Sequence, residues 1–211
     1  EAMSGAPALS PASLAAVVPA AGRSRRMGRE KVLLPFGRST SLETILETLA
    51  GAGVVRTVVV LRPDLVEAAR RVRRAGARVI VNPDPDGEMM ESIRLGLAAF
   101  SPDAAISAFF VWPADHPAVA PGTIAALVAA ADAARAWIPS WKGRRGHPAL
   151  VGDALRGDVL AVPGGKGLRE LWRARADAVS ELPVEDPGVV ANVDTPEQYE
   201  AARRAWKASD G

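Results

Sequence analysis

Between Ala20 and Lys31 the chain reads AAGRSRRMGREK, a loop with two glycines and five cations: Arg23, Arg25, Arg26, Arg29 and Lys31. Glycine lets backbone N–H groups close on an anion, and guanidinium forks match phosphate oxygens two at a time, so the loop suits a triphosphate. It is not a Walker loop, because Arg29 follows Gly28 and no Ser or Thr comes next, and the spacing from Gly22 to Gly28 does not give GxGxxG. A catalyst that joins polyanions needs a divalent cation, and magnesium takes carboxylate oxygens plus substrate phosphates. Two carboxylates are placed to supply them. Asp115 lies just past an apolar strand in VWPADHPAV, and Asp194 lies directly before the cap of the last helix in VVANVDTPEQY. Each has a structural role open as well, Asp115 as a turn starter and Asp194 as a charge at the positive end of a helix.

Three further stretches hold isolated polar residues, of which a serine on a helix reads as surface and a single histidine as a structural donor. Ser92 sits in NPDPDGEMMESIRLGL, His147 in GRRGHPALV, and Gly167 with Arg169 in PGGKGLRELW, where Gly167 precedes a helix start and offers a second anion seat. Two phosphate-friendly regions suit a reaction between two phosphorylated substrates.

The elements that must position these residues follow from the hydrophobic pattern. Short β-branched runs alternate with helical periods, which predicts an α/β chain with a largely parallel sheet. Leu14–Ala20 is the first strand, and ligands in such sheets sit beyond the carboxyl ends of strands, where the basic loop begins. Thr40 and Glu43 form a capping box that opens a helix carrying Leu42, Ile45, Leu46 and Leu49 on one face. Strands follow at Thr57–Leu61, Ala77–Asn82 and Ile106–Trp112, the last with no polar face and so in the middle of the sheet. Helices are expected over Asp64–Ala75, Glu88–Phe100 and Pro121–Ala134. The final third mixes the strands WIPSW, HPALV, VSELPV and VVANV with helices, and closes on a helix opened by Thr195, Pro196 and Gln198.

The 211 residues are 48% hydrophobic and 24% charged, enough apolar surface for one packed domain, taken here as 14–208 behind a flexible lead-in of 1–13. With no cysteine, disulfides, thiolate metal sites and a thiol nucleophile are excluded, and a reducing, cytoplasmic setting fits best. No apolar run reaches the ~18 residues that span a bilayer, so no membrane partner is expected. Net charge is only +2, and with 5% aromatic residues no stacking platform for nucleic acid is visible.

AAGRSRRMGREK resembles the signature of the MobA-like nucleotidyltransferases, (A/G)G-x-S-x-R-M-G-x-x-K, agreeing at Ala21, Gly22, Ser24, Arg26, Met27, Gly28 and Lys31. The resemblance implies a Rossmann-like three-layer sandwich of the nucleotide-diphospho-sugar transferase type with a mostly parallel mixed sheet. It implies that Ala20, Ala21 and Gly22 wrap a nucleoside triphosphate while Arg26 and Lys31 hold its phosphates. Asp115 and Pro117 resemble the family's D-x-P motif, whose aspartate holds Mg2+, and Asp194 matches the aspartate that completes the metal site. Asn192 stands where the family often has an acid. Gly87, Ser92 and Gly96 match a stretch whose serine lies near the nucleoside. GHP at His147, with Gly164, Gly167 and Arg169, resembles the molybdenum cofactor cytidylyltransferase branch, where these segments border the acceptor, and Ala21 before Gly22 fits relatives that use CTP. The expected reaction joins CTP, or another NTP, to a phosphorylated pterin acceptor, with a molybdoenzyme of the xanthine dehydrogenase type as the receiving partner. A sugar phosphate acceptor, or a non-catalytic cofactor carrier, stays open.

Overall fold

The computed structural model describes residues 9–23, 27–84, 88–101 and 104–209. In chain order these form β1 (Leu14–Pro19), β2 (Pro35–Phe36), β3 (Ser39–Thr40), α1 (Ser41–Gly51), β4 (Arg56–Leu61), α2 (Val66–Arg74), β5 (Arg78–Val81), α3 (Met89–Ala98) and β6 (Ala108–Val111). There follow α4 (Pro121–Ala130), β7 (Ala136–Trp141), β8 (Arg144–Arg145), β9 (Ala149–Gly152), α5 (Arg156–Leu160), α6 (Leu168–Ala174), β10 (Val179–Pro183) and α7 (Pro196–Ser209).

Among the described residues, one sheet runs in the order β10-β7-β9-β6-β1-β4-β5, with β8 attached to β7. β1, β4, β5 and β6 are parallel, β10 pairs parallel with β7, and β9 is inserted antiparallel between β6 and β7. The fold is thus a mixed, mostly parallel sheet flanked by helices. From β1 the chain steps outward to β4 and β5, then returns through α3 to lay β6 on the other side of β1. That reversal opens a crevice beyond the carboxyl ends of β1 and β6.

Both faces of the central strands are covered, so β1 and β6 are buried at every position. Side chains alternate between two cores, as the strand period requires. Leu14, Ala16 and Val18 pack with Ile45, Leu49, Val72 and Ile124, from α1, α2 and α4, on one face. Ala15 and Val17 pack with Ile93, Leu97, Val159 and Trp172, from α3, α5 and α6, on the other. Gly96 lets α3 lie close against β1, since a Cβ there would fall 2.4 Å from Val17 Cγ1. A third cluster joins Tyr199, Ala202 and Trp206 of α7 to Met27, Leu34 and Phe36, tying the far end of the basic loop to the last helix.

The expected caps form. Thr40 accepts from the Glu43 amide at 3.3 Å while the Glu43 carboxylate accepts from the Thr40 amide at 3.1 Å. At α7, Gln198 Oε1 accepts from the Thr195 amide at 3.0 Å and Thr195 Oγ1 accepts from the Gln198 amide at 3.3 Å. Two expectations are corrected. The alanine-rich helix stops at Ala130, because Asp132 Oδ1 accepts from the Ala134 amide at 2.8 Å and the chain turns there. VVANV is not a strand: Pro187–Val190 is a 3₁₀ turn, and its surroundings show why. Asp186 accepts from Gly188 N at 2.8 Å, Val189 O accepts from His147 N at 2.8 Å, and Val193 N donates to Asp115 O at 2.7 Å. These bonds cross-link the segment to two different loops and leave no regular ladder.

Candidate active site

The loops after β1 and β6 and the segment before α7 deliver their polar side chains to the crevice at the switch point. A cleft of about 110 Å³ there is lined by Ala20, Ala21, Gly22, Lys31, Ser92 and Asp115, with Met89 and Pro113 at its border. Lys31, on its lining, has Nζ 3.6 Å from Asp115 Oδ2 and 3.1 Å from Oδ1 of the neighbouring Asp194. Three residues separated by up to 163 positions therefore meet at one point.

The outward oxygens of both carboxylates are already taken. Asp115 Oδ1 is 2.8 Å from His116 Nδ1, which donates to it, and Asp194 Oδ2 accepts from Asn192 Nδ2 at 2.8 Å. One oxygen of each, Oδ2 of Asp115 and Oδ1 of Asp194, is left facing the shared position that the Lys31 ammonium now neutralises. Burial pushes the Asp115 carboxyl up, but the His116 hydrogen bond and the electrostatic pull of its neighbours, the Lys31 ammonium among them, outweigh it and hold Asp115 well below the usual carboxylate range. It is an anion at any physiological pH.

This donor set fits a divalent cation. Among the described residues no three His, Asp or Glu side chains are arranged to hold a metal ion by themselves. Two carboxylate oxygens are what magnesium commonly takes from a protein when substrate phosphates and water complete its shell. Asn192, at the position where an acid was considered, turns its amide nitrogen to Asp194 and orients that carboxylate.

Ser92 is buried on α3, and its hydroxyl accepts from Asn82 Nδ2 at 3.1 Å. The Asn82 amide is fixed in turn, because its Oδ1 accepts from the Asp84 amide at 2.9 Å. Arg26 and Gly87 lie outside the described residues.

A second, wider pocket of about 710 Å³ shares Met89 and Pro113 with the cleft. His147, Gly167 and Arg169 all line it, so the structure brings the three expected acceptor-side residues into one cavity. Arg145, Lys166 and Arg173 add positive charge to its walls, while Met90, Ile138 and Trp172 supply apolar surface. Helix α6 after Gly167 has only seven residues, so the positive charge of this pocket lies in side-chain cations, with Glu88 and Glu170 also on its walls. The glycine loop is pinned by Glu88, which accepts from Gly165 N at 2.7 Å. His147 lines the wider pocket, its ring 4.6 Å from that of His116. Burial, then the charge of His116, push the imidazole down to about 4, with Asp115 opposing and Arg169 adding to the effect. It is neutral at pH 7.

Sequence reasoning missed Arg62, Asn82 and Glu88. Arg62 and Asn82 each follow directly on the carboxyl end of a crevice strand, β4 and β5, and that position was the available signal.

Comparison with known proteins places this geometry in context. Residues 16–179 match the family model described as MobA-like NTP transferase domain. A curated relative from Paenarthrobacter nicotinovorans, named nicotine blue oxidoreductase, is 29% identical and covers 86% of this chain and 92% of its own. A 2-C-methyl-D-erythritol 4-phosphate cytidylyltransferase from Nocardia farcinica is 34% identical over 58% of this chain, which spans about half, 53%, of that relative's length. Among solved structures, a nucleotidyl transferase from Methanothermobacter superposes with a TM-score of 0.80 at 25% identity, covering 93% of this chain and 98% of its own. Rv0371c from Mycobacterium tuberculosis, solved as a complex with manganese, superposes with a TM-score of 0.72 at 28% identity, over 90% of this chain and 98% of its own. No described helix is long and apolar enough to cross a membrane.

Proposed function

Because the chain belongs to the MobA-like NTP transferase domain family, we propose that it transfers CMP from CTP to the terminal phosphate of a molybdopterin-type cofactor, releasing pyrophosphate. The observation that carries this reading is the meeting of Lys31, Asp115 and Asp194 in the crevice beyond β1 and β6. A terminal phosphate oxygen of the acceptor attacks the α-phosphorus of CTP; the new P–O bond forms as the bond to the pyrophosphate oxygen breaks. The nucleophile is already ionised near neutral pH, so no general base is needed. What the protein must supply is alignment of two anions and cancellation of their repulsion.

In this scheme the backbone at Ala20–Gly22 wraps the triphosphate, and Arg26 and Lys31 bind its oxygens. A divalent cation, taken as Mg2+, would be held by Asp115 Oδ2 and Asp194 Oδ1, and would supply charge neutralisation at the phosphates when bound. Lys31 then exchanges its carboxylate partners for phosphate oxygens. Ser92, anchored by Asn82, faces the nucleoside. The acceptor lies in the wider pocket, its phosphate among Lys166, Arg169 and the Gly167 loop, and its ring system against Trp172 and Met90. Neutral His147 lines the passage between donor and acceptor without adding charge. The product would go on to a molybdoenzyme of the xanthine dehydrogenase type.

The cytidylyltransferase relatives support CTP as donor. The test is to incubate the protein with CTP, Mg2+ and each candidate phosphorylated acceptor, and to follow pyrophosphate. Release with the pterin acceptor is expected; release only with a sugar or polyol phosphate would replace the acceptor, keeping the chemistry. The relative named nicotine blue oxidoreductase favours a second reading, oxidation–reduction on the same scaffold. Protein-dependent oxidation of a reduced dinucleotide, with no pyrophosphate from any acceptor, would establish that reading instead.

A further inference from the structure

We infer that Arg62 is a positioning residue that sets the shape of the nucleotide loop, and through it the affinity for the triphosphate. The inference rests on the nucleotidyltransferase reading but assigns a role to a residue outside the cleft lining. Arg62 follows the last residue of β4 and is only 6% exposed, a burial that an always-charged guanidinium tolerates only with full pairing. Its three nitrogens go to three places. Nη1 donates to the Gly22 carbonyl at 2.7 Å, Nη2 to the Glu30 carboxylate, and Nε to Asp64 Oδ1 at 2.8 Å.

Gly22 and Glu30 are the two ends of the basic loop, one just after β1 and the other just before Lys31. One rigid fork therefore clamps both ends across 40 and 32 residues of sequence. Two consequences follow from peptide and guanidinium geometry. The carbonyl of Gly22 and the N–H of Arg23 belong to one planar trans unit and face opposite ways, so fixing the oxygen on Arg62 fixes the direction of that N–H. Holding Glu30 likewise fixes where the next residue, Lys31, enters the cleft toward Asp115 and Asp194. Among the described residues Glu30 Oε2 is buried without a hydrogen-bond partner, and Arg62 supplies the pairing of that carboxylate. Lysine cannot replace this clamp, because a single ammonium on a flexible stem cannot reach three acceptors that diverge around a planar fork.

The test compares wild type with Arg62→Lys, by titrating CTP and Mg2+ calorimetrically without acceptor and by steady-state pyrophosphate release with it. The expected result is a Kd and KM for CTP raised at least about tenfold, the loss of charge-assisted hydrogen bonds seen through the loop, with kcat at saturating CTP and the acceptor KM nearly unchanged. A merely structural role would lower the melting temperature and the active fraction without that split. Should Arg62→Lys not fold, Glu30→Gln removes one arm of the clamp from the other side, and the same split is expected at smaller size. Unchanged CTP affinity in a folded variant, or equal loss for both substrates, overturns the inference while the enzyme reading stands. Wild-type protein that binds no nucleoside triphosphate overturns that reading and the inference with it.

Discussion

The cleft beyond β1 and the pocket beside α6 share Met89 and Pro113, yet they are built in opposite ways. The cleft is small, and nearly every polar atom in it is already committed: Lys31 to two carboxylates, Asp115 to His116, Asp194 to Asn192, Ser92 to Asn82. Its groups come from the loops after β1 and β6, from α3 and from the segment before α7. The pocket is several times larger, and its cations extend from one hairpin, one glycine loop and one short helix. Preorganised charge of the first kind suits the triphosphate of the proposed donor. An open cationic wall beside apolar surface suits a larger guest whose identity the geometry constrains less.

The sharpest way to break this contrast is Asp115→Asn. If the cleft is the chemical centre, product formation falls by at least about a thousandfold, as loss of charge neutralisation at a phosphoryl transfer site requires. The melting temperature should change little. Residual turnover near wild type, read as pyrophosphate release, would move the chemistry elsewhere.

Arg169→Ala tests whether the two cavities are separate. The acceptor KM should rise about tenfold, the value of one charge-assisted contact, while the KM for CTP stays fixed. A rise in the CTP KM instead would merge the two sites into one.

The smallest effect concerns a buried imidazole of the wider pocket. His147 has its pKa lowered in the folded protein from 6.5 to about 4, so the unfolded chain takes up a proton that the native state refuses in that window. Stability is therefore full above pH 6.5 and is lost as pH falls toward 4, and the Asp115 carboxylate adds loss only at lower pH. Melting temperatures measured from pH 7 to 4 should fall less steeply in His147→Gln than in wild type. Parallel curves would mean that the imidazole is not held neutral.

The same contrast explains what could be read from the sequence. Strand, basic loop and capped helix are local events: β-branched runs, glycines at set spacing, Thr40 with Glu43, Thr195 with Gln198. They were legible because each is decided within a few residues. Lys31, Asp115 and Asp194 were legible as a set through the resemblance of their motifs to the MobA-like family, not through a local pattern. Arg62 was not, because Leu-Arg-Pro-Asp reads as a turn until Gly22 and Glu30 arrive from 40 and 32 residues away. The segment from Val189 to Val193 looked like a strand, but its partners are His147 and Asp115 on separate loops. Gly188 also lies so close to Ala118 that a Cβ would fall 2.0 Å from its carbonyl oxygen. Packing at that range has no signature in a single chain's pattern.

The most direct measurement is a crystal structure with manganese and a non-hydrolysable CTP analogue, the metal located by its anomalous scattering. The account predicts manganese within coordination reach of Asp115 Oδ2 and Asp194 Oδ1, and the Lys31 ammonium moved from the carboxylates onto a phosphate oxygen. Metal and triphosphate bound elsewhere, with Lys31 still between the two aspartates, would contradict it.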